Sequence, residues 1–174
     1  MIIEGERVLL THVEKDDSVI VFKWFNDEET LDSIVGFRPC FTSEDALKWS
    51  SSASDFKTIK WIIRSKDSRE PLGFTGLYNI DFVNRNAESA IVIGEKHFRG
   101  KGLAKEALTL VSNFSFDYLN LKIIYALIIS SNEASLRLYK SIGFEEQGIL
   151  CKRILRNANW LDLVYVALEN KKGI

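Results

Sequence analysis

At 174 residues, 46% hydrophobic and 27% charged with ten glycines and two prolines, the chain suits one domain (1–174) with its own core, and disordered, collagen-like and coiled-coil polymers are excluded. Its 23 Lys and Arg against 24 Asp and Glu leave a formal net charge of -1, so no global field draws it to nucleic acid or an acidic membrane. Two cysteines, Cys40 and Cys151, and two histidines, His12 and His97, match no zinc spacing, and no metal is expected. Residues 1–10 lack the regions of a secretory signal, and the apolar run 123–129 is about a third of a membrane helix. The expectation is a cytoplasmic protein with no nucleic-acid or membrane partner.

Residues 7–13 alternate as a strand, and Asp16-Asp17-Ser18 then offer caps to a helix carrying Ile20, Val21, Trp24 and Phe25. Asp27-Glu28-Glu29 reads as a solvated acidic face. A second short helix is expected over 43–49. Residues 57–64 and 71–82 form a hairpin about the turn Lys66-Asp67-Ser68-Arg69, and 87–95 add a strand. Apolar residues at 103, 107, 110, 111, 114 and 118 predict a helix over 103–119. The uninterrupted run 123–129 predicts a central strand covered on both faces, and 133–142 a helix stopped by Gly143. Two strands, 144–155 and 160–168, close the chain about Asn157-Ala158-Asn159; Lys152, Arg153 and Arg156 form a small basic cluster in them. This order implies an α/β (α+β) domain whose mixed sheet has helices on both faces.

The segment Arg99-Gly100-Lys101-Gly102-Leu103-Ala104 lies between a predicted strand and the strongest helix. Free N–H groups of a helix's first turn, with the positive end of its dipole, bind phosphate oxygens where glycine lets a ligand approach. Lys101 and Lys105 add charge nearby. A Walker loop would need Ser or Thr after Gly-Lys, where Gly102 stands; a dinucleotide fingerprint would need a small residue where Lys105 stands.

With Arg99, Gly102 and Ala104 in place, the segment resembles the Arg/Gln-x-x-Gly-x-Gly/Ala signature of the GNAT family of acyl-CoA N-acyltransferases. The run Arg85-Asn86-Ala87-Glu88-Ser89-Ala90-Ile91-Val92-Ile93-Gly94 resembles the family's preceding strand. Asn132-Glu133-Ala134-Ser135, with Leu138-Tyr139-Lys140 and Ile142-Gly143-Phe144, is similar to its second cofactor motif. Trp24-Phe25-Asn26-Asp27 resembles the early helix of the branch containing ribosomal-protein alanine, spermidine and amino-sugar N-acetyltransferases.

The resemblance implies a mostly antiparallel sheet, splayed between the strands at Ile91 and at 123–129, that takes acetyl-CoA as co-substrate. The backbone of Arg99, Gly100, Lys101, Gly102, Leu103 and Ala104 would hold its pyrophosphate, and Ile91 and Ile93 would pair with pantetheine. Asn132, with Ser135 beside it, would contact the cofactor by side chain, a role compatible with helix capping. Tyr139 would be the general acid for the leaving thiolate, against the competing reading of a core tyrosine, and Glu88 the base, against that of a solvent-facing glutamate. A strand N–H near Val92 or Ile93 would meet the oxyanion. The aromatics Trp24, Phe25, Phe37, Phe41 and Trp49 either line an acceptor pocket or pack helices on the sheet, and His97 reads as a surface residue. The expected reaction is acetyl transfer to a primary amine, small molecule or peptide: a protein N-terminus, polyamine or amino sugar. The alternative is a non-catalytic acyl-CoA-binding module; a homodimer is compatible with either.

Overall fold

Runs rich in β-branched and aromatic residues build one eight-stranded sheet in the computed structural model, which describes residues 2–36, 41–52 and 56–171. The strands are β1 (Ile3–Glu4), β2 (Val8–His12), β3 (Ile59–Ser65), β4 (Pro71–Asp81), β5 (Asn86–Ile93), β6 (Ile123–Ile129), β7 (Glu145–Arg156) and β8 (Asn159–Glu169). They lie in the order β1-β2-β3-β4-β5-β6-β8-β7, and only β5 and β6 run parallel.

The helices are α1 (Ser18–Phe25), α2 (Glu28–Ser33), α3 (Ser43–Ser51), α4 (Leu103–Asn113) and α5 (Glu133–Lys140). On one face α4 buries Leu103, Ala107, Leu108 and Val111 against Val8, Leu10, Trp61, Ile63, Ile124 and Ala126, and Tyr139 and Phe144 join that core. On the other, α1 and α3 bring Val21, Trp24, Phe25 and Ala46 onto Ile62, Phe74 and Val92. Helices on both faces of a mostly antiparallel sheet agree with the sequence reading.

Three elements differ from it. The acidic residues after Asn26 are helical: Asp27 caps α2 by accepting from the Thr30 N–H at 2.9 Å. The strongest helix is α-helical only to Asn113 and ends in a π-helical turn over Phe114–Tyr118, where Leu119 N–H reaches Phe114 C=O at 3.1 Å. Strand β6 is covered on one face only. Ile124, Ala126 and Ile128 are buried in the core, while Ile123, Tyr125 and Leu127 are half-exposed on the other side. Its apolar run reflects a wall shared by core and cleft. Phe37 and Cys40 lie outside the described residues.

Gly94, at the end of β5, supports the indole of Trp24: a Cβ there would lie 2.4 Å from the ring, and the Trp24 Nε1–H donates to Glu95 at 3.0 Å. Gly94→Ala should therefore lower stability by about 1–3 kcal/mol through overpacking of α1 on the sheet. Urea unfolding followed by tryptophan fluorescence measures it.

Candidate active site

Strands β5 and β6 pair through only three positions, Asn86↔Ile123, Ala87↔Ile124 and Glu88↔Tyr125. Beyond Glu88, side chains bridge the gap: Ser89 Oγ donates to Tyr125 C=O at 3.2 Å, and the Tyr139 hydroxyl, on α5, donates to Ser89 C=O at 3.2 Å. Strand parity decides which peptide groups face the opening. The carbonyls of Ser89 and Ile93 are reached by Tyr139 and by Arg99 Nε (3.0 Å), which places the Ile91 main chain on the same open side. Ala90 C=O accepts from Thr75 Oγ1 at 2.9 Å on β4, and Val92 shares that orientation opposite Phe74. Val92 is thus corrected as an oxyanion donor: its peptide group is turned to β4, and only its side chain lines the site.

After β5 a single turn over Lys96–Phe98 delivers the glycine loop. Gly100 and Gly102 have φ of 74° and 79°, which a side chain resists, and α4 begins at Gly102 with no side-chain cap, so its first-turn N–H groups open onto the cleft. The helix end is fixed to β2 by Glu106, which accepts from the Arg7 and Val8 N–H groups at 2.7 and 3.1 Å. The Lys101 side chain does not add its charge to the cleft. Its Nζ sits 5.2 Å from the Phe98 ring centre, and it is outside the cleft lining, whereas Lys105 is in it. Four positions separate the two cations, and the first, on the loop before α4, packs on Phe98.

The cleft, of about 580 Å³, is lined by Ile91, Val92, Ile93, Arg99, Gly100, Gly102, Leu103, Ala104, Asn132 and Ser135, so every remaining residue expected at the cofactor converges on it. Asn132 caps α5, its Oδ1 accepting from Ser135 N–H at 3.0 Å, while its Nδ2 donates to Ser33 C=O at 3.2 Å. The Arg99 guanidinium is turned to α2, where it meets Glu29 and donates to Thr30 Oγ1 at 3.1 Å. Lys96 bridges Asp27 and Glu29 at 2.8 and 3.0 Å. Helix α2 therefore borders the cleft through Glu29 and Ser33, a placement that three acids in a row do not foretell.

A second cavity of about 250 Å³ adjoins the first, sharing Ser33, Ile91, Val92 and Ser135. Phe25, Trp49, Phe74, Tyr78 and Tyr139 wall it, and Glu88 is its one charged lining residue among those described. Pocket and packing roles coincide here: Phe25 stacks between Phe41 and Phe74 and meets Trp49 edge-on. Glu88 stands on the sheet between Tyr78 of β4 and Tyr125 of β6, with Tyr165 stacked on Tyr125 at 5.1 Å. Burial pushes the Tyr78 phenol up to about 12, and the Glu88 charge adds to it. Burial also raises Tyr139, Tyr125 and Tyr165, with Glu88 again contributing, while the Ser89 bond pulls Tyr139 partly back. Tyr139, only 3% exposed, belongs to the core and also lines this cavity. His97 is exposed and packs on Phe98, as a surface residue.

Residues 7–145 match the family model described as the acetyltransferase (GNAT) domain. The chain belongs to the GNAT acetyltransferases. Among its GNAT relatives, the uncharacterized N-acetyltransferase YoaA of Bacillus subtilis is 27% identical over 165 residues, 92% of each chain. The spermidine N(1)-acetyltransferase of Escherichia coli K12 is 30% identical over 99 residues, 57% of this chain and 53% of that one. The fold matches the structure of Vibrio cholerae spermidine N-acetyltransferase in complex with CoA and spermine with a TM-score of 0.89 at 21% identity, over 97% of this chain and 98% of that one. The described residues contain no helix long and apolar enough to cross a membrane and no cluster of metal-ligating side chains.

The hydrogen bond from Lys96, followed by that from the Thr30 N–H, lowers the Asp27 carboxyl to about 2. A carboxyl lowered on folding stabilises above its unfolded value of 3.8, and that contribution is lost as pH falls through the folded value. The attachment of α2 should thus hold from pH 7 down to about 4 and weaken toward pH 2. A carboxyl-carbon NMR titration should find Asp27 near 2, and Lys96→Ala should return its midpoint toward 3.8.

Proposed function

We propose that the chain is an acetyl-CoA-dependent N-acetyltransferase that transfers acetyl directly to a primary amine, and that the amine arrives as an alkylammonium of the polyamine kind. The observation that carries this reading is the meeting of two cavities at Ile91, Val92 and Ser135, one floored by a helix start and glycine backbone, the other holding a lone carboxylate among aromatic rings. The first suits a diphosphate with an extended arm. First-turn N–H groups of α4, the backbone of Gly100 and Gly102, and Lys105 would take the anionic end, and the Ile91 and Ile93 peptide edge would pair with the arm as a strand does. The second suits a cation, because aromatic faces and a carboxylate both attract an ammonium. Kinship with spermidine acetyltransferases supports the same class.

Bound acetyl-CoA supplies an activated thioester. Glu88 takes one proton from the acceptor ammonium, directly or through one water, and frees the nitrogen lone pair. As that nitrogen forms the amide bond and the carbon–sulfur bond breaks, the open peptide edge at Ile91 and Ile93 offers N–H groups to the carbonyl oxygen. Tyr139, which burial keeps protonated, would turn its hydroxyl from Ser89 C=O to the departing sulfur and supply the proton; the second amine proton then restores the phenol, and the proton held by Glu88 leaves to solvent. Glu88 and Tyr139 both line the smaller cavity and divide the proton traffic there, the carboxylate on the sheet facing the amine and the phenol at the crotch of the splay facing the sulfur.

CoA thiol release should follow polyamines above N-terminal peptides and amino sugars, each against a control without amine. Tyr139→Phe should cut kcat at least about tenfold with CoA affinity within threefold, and Glu88→Gln should cut kcat/KM about a hundredfold. Release at control level with every amine, or unchanged turnover in both variants, contradicts the assignment.

The reading includes self-association. Strand β7 ends the sheet, and its hairpin with β8 presents Ile149, Leu150, Leu155 and Trp160 to solvent. An apolar edge of this kind is suited to a second copy. Sedimentation equilibrium should show a dimer or larger assembly that Trp160→Glu with Leu155→Glu reduces to monomer, and a wild-type monomer at tens of micromolar refutes it.

A further inference from the structure

We infer that Asn79, brought onto the Glu88 face by a bulge in β4, is a positioning residue for that carboxylate. The inference rests on the proposed role of Glu88 in accepting the amine proton.

Strand β4 pairs regularly with β5 as far as Tyr78↔Glu88, and the next paired position is Asp81↔Asn86. Two residues of β4, Asn79 and Ile80, therefore span the place of one on β5, Ala87. In a regular strand Asn79 would turn toward the helix α4 core and Ile80 toward the acceptor side. The extra residue inverts this. Ile80 is buried in the α4 core, while Tyr78 and Asn79 both stand on the Glu88 side, and Asn79 Nδ2 donates to Glu88 Oε2 at 3.0 Å. The bulge is pinned from β3's approach by Ile80 N–H to Lys57 C=O at 3.1 Å.

The inversion requires a left-handed backbone, and Asn79 has φ of 50°. Residues that accept this conformation at small cost are Gly, Asn and Asp. Of these, only Asn offers a neutral N–H donor to a carboxylate; Gly offers nothing and Asp repels it. The amide occupies one Glu88 oxygen and fixes the carboxylate plane, so that Oε1 is the oxygen left to meet an ammonium between Tyr78 and Tyr125. Among the described residues, four phenols feel the Glu88 charge: Tyr78 on β4, Tyr125 on β6, Tyr165 on β8 and Tyr139 on α5. Asn79 is accordingly the neutral donor that sets the orientation of this carboxylate.

Because three residue types suit the backbone, the amide can be tested apart from the bulge. Asn79→Gly keeps the left-handed turn and removes the donor; Asn79→Asp keeps the size and reverses the polarity. Both should retain the wild-type melting temperature within about 3 °C and CoA affinity within about twofold, as measured by calorimetric titration with CoA. Asn79→Gly should lower kcat/KM for the amine about five- to thirtyfold, and Asn79→Asp further. The loss should fall on kcat, with KM for the amine within about threefold, since the amide orients the proton acceptor and leaves the walls of the pocket in place. A merely structural role would change KM and CoA affinity together with kcat. Wild-type kcat/KM in Asn79→Gly, or a loss confined to KM, overturns the inference. Glu88→Gln, assayed alongside, separates the two readings: if it retains activity, the assignment of Glu88 fails and the inference falls with it; if it is inactive while the Asn79 variants behave as wild type, only the role of Asn79 fails.

Discussion

The parting of β5 from β6 after three residue pairs is the constraint on which the rest of the molecule depends. Peptide groups in a protein interior must find partners, and a sheet opened in its middle leaves two edges without them. Here part of the deficit is met by side chains. Ser89 and Tyr139 close the crotch of the opening, and Arg99 takes the carbonyl of Ile93 at its far end. Between these stops the Ile91 edge remains, bounded below by α4 and α5 and flanked by the glycine loop. The same opening that weakens the sheet thus leaves an unpaired main-chain edge with the N-terminus of α4 beside it.

Holding such a sheet open requires stiffness elsewhere. The antiparallel pairs β3 with β4 and β6 with β8 are long, and Trp61, Ile63, Ile124 and Val166 contribute to a core that continues beneath the gap. Glu106 joins α4 to β2 through two backbone N–H groups, which prevents the helix from sliding toward the opening. On the other face, the Phe25, Phe41, Trp49 and Phe74 rings form one aromatic block, with contacts between 4.7 and 5.6 Å, that gives the smaller cavity a rigid wall. Ring packing of this kind adds stability beyond area burial.

Much of this was legible in the order of residues. The glycine loop before an amphipathic helix, the Asn132 cap and the hairpins follow from local rules, since each depends on neighbours within a few positions. What was hidden depends on tertiary register. The run 123–129 has no charged residue to mark its open face, because Tyr125 stacks on Tyr165 and Leu127 lines the smaller cavity, places that apolar groups also suit. Helix α2 is six residues long, and its acids find Lys96 and Arg99 about seventy positions away. Neither the parity that turns Val92 to β4 nor the bulge that brings Asn79 beside Glu88 leaves a mark in composition: both are set by counting along strands whose pairing is known only after folding. Lys101 and Lys105 are chemically equal, and only the path of the loop separates them.

Helix α2 touches both halves of the site at once. Glu29 borders the larger cavity while paired with Arg99 and Lys96, and Ser33 borders both cavities while its carbonyl is held by Asn132. On the proposed reading, a dianionic ligand entering beside Arg99 would meet the Glu29 carboxylate as a competitor for the same cations, and displacing it would loosen the helix that also borders the second cavity. Occupancy of one chamber and the shape of the other are therefore joined by a six-residue strut, and the two ligands need not approach as independent visitors.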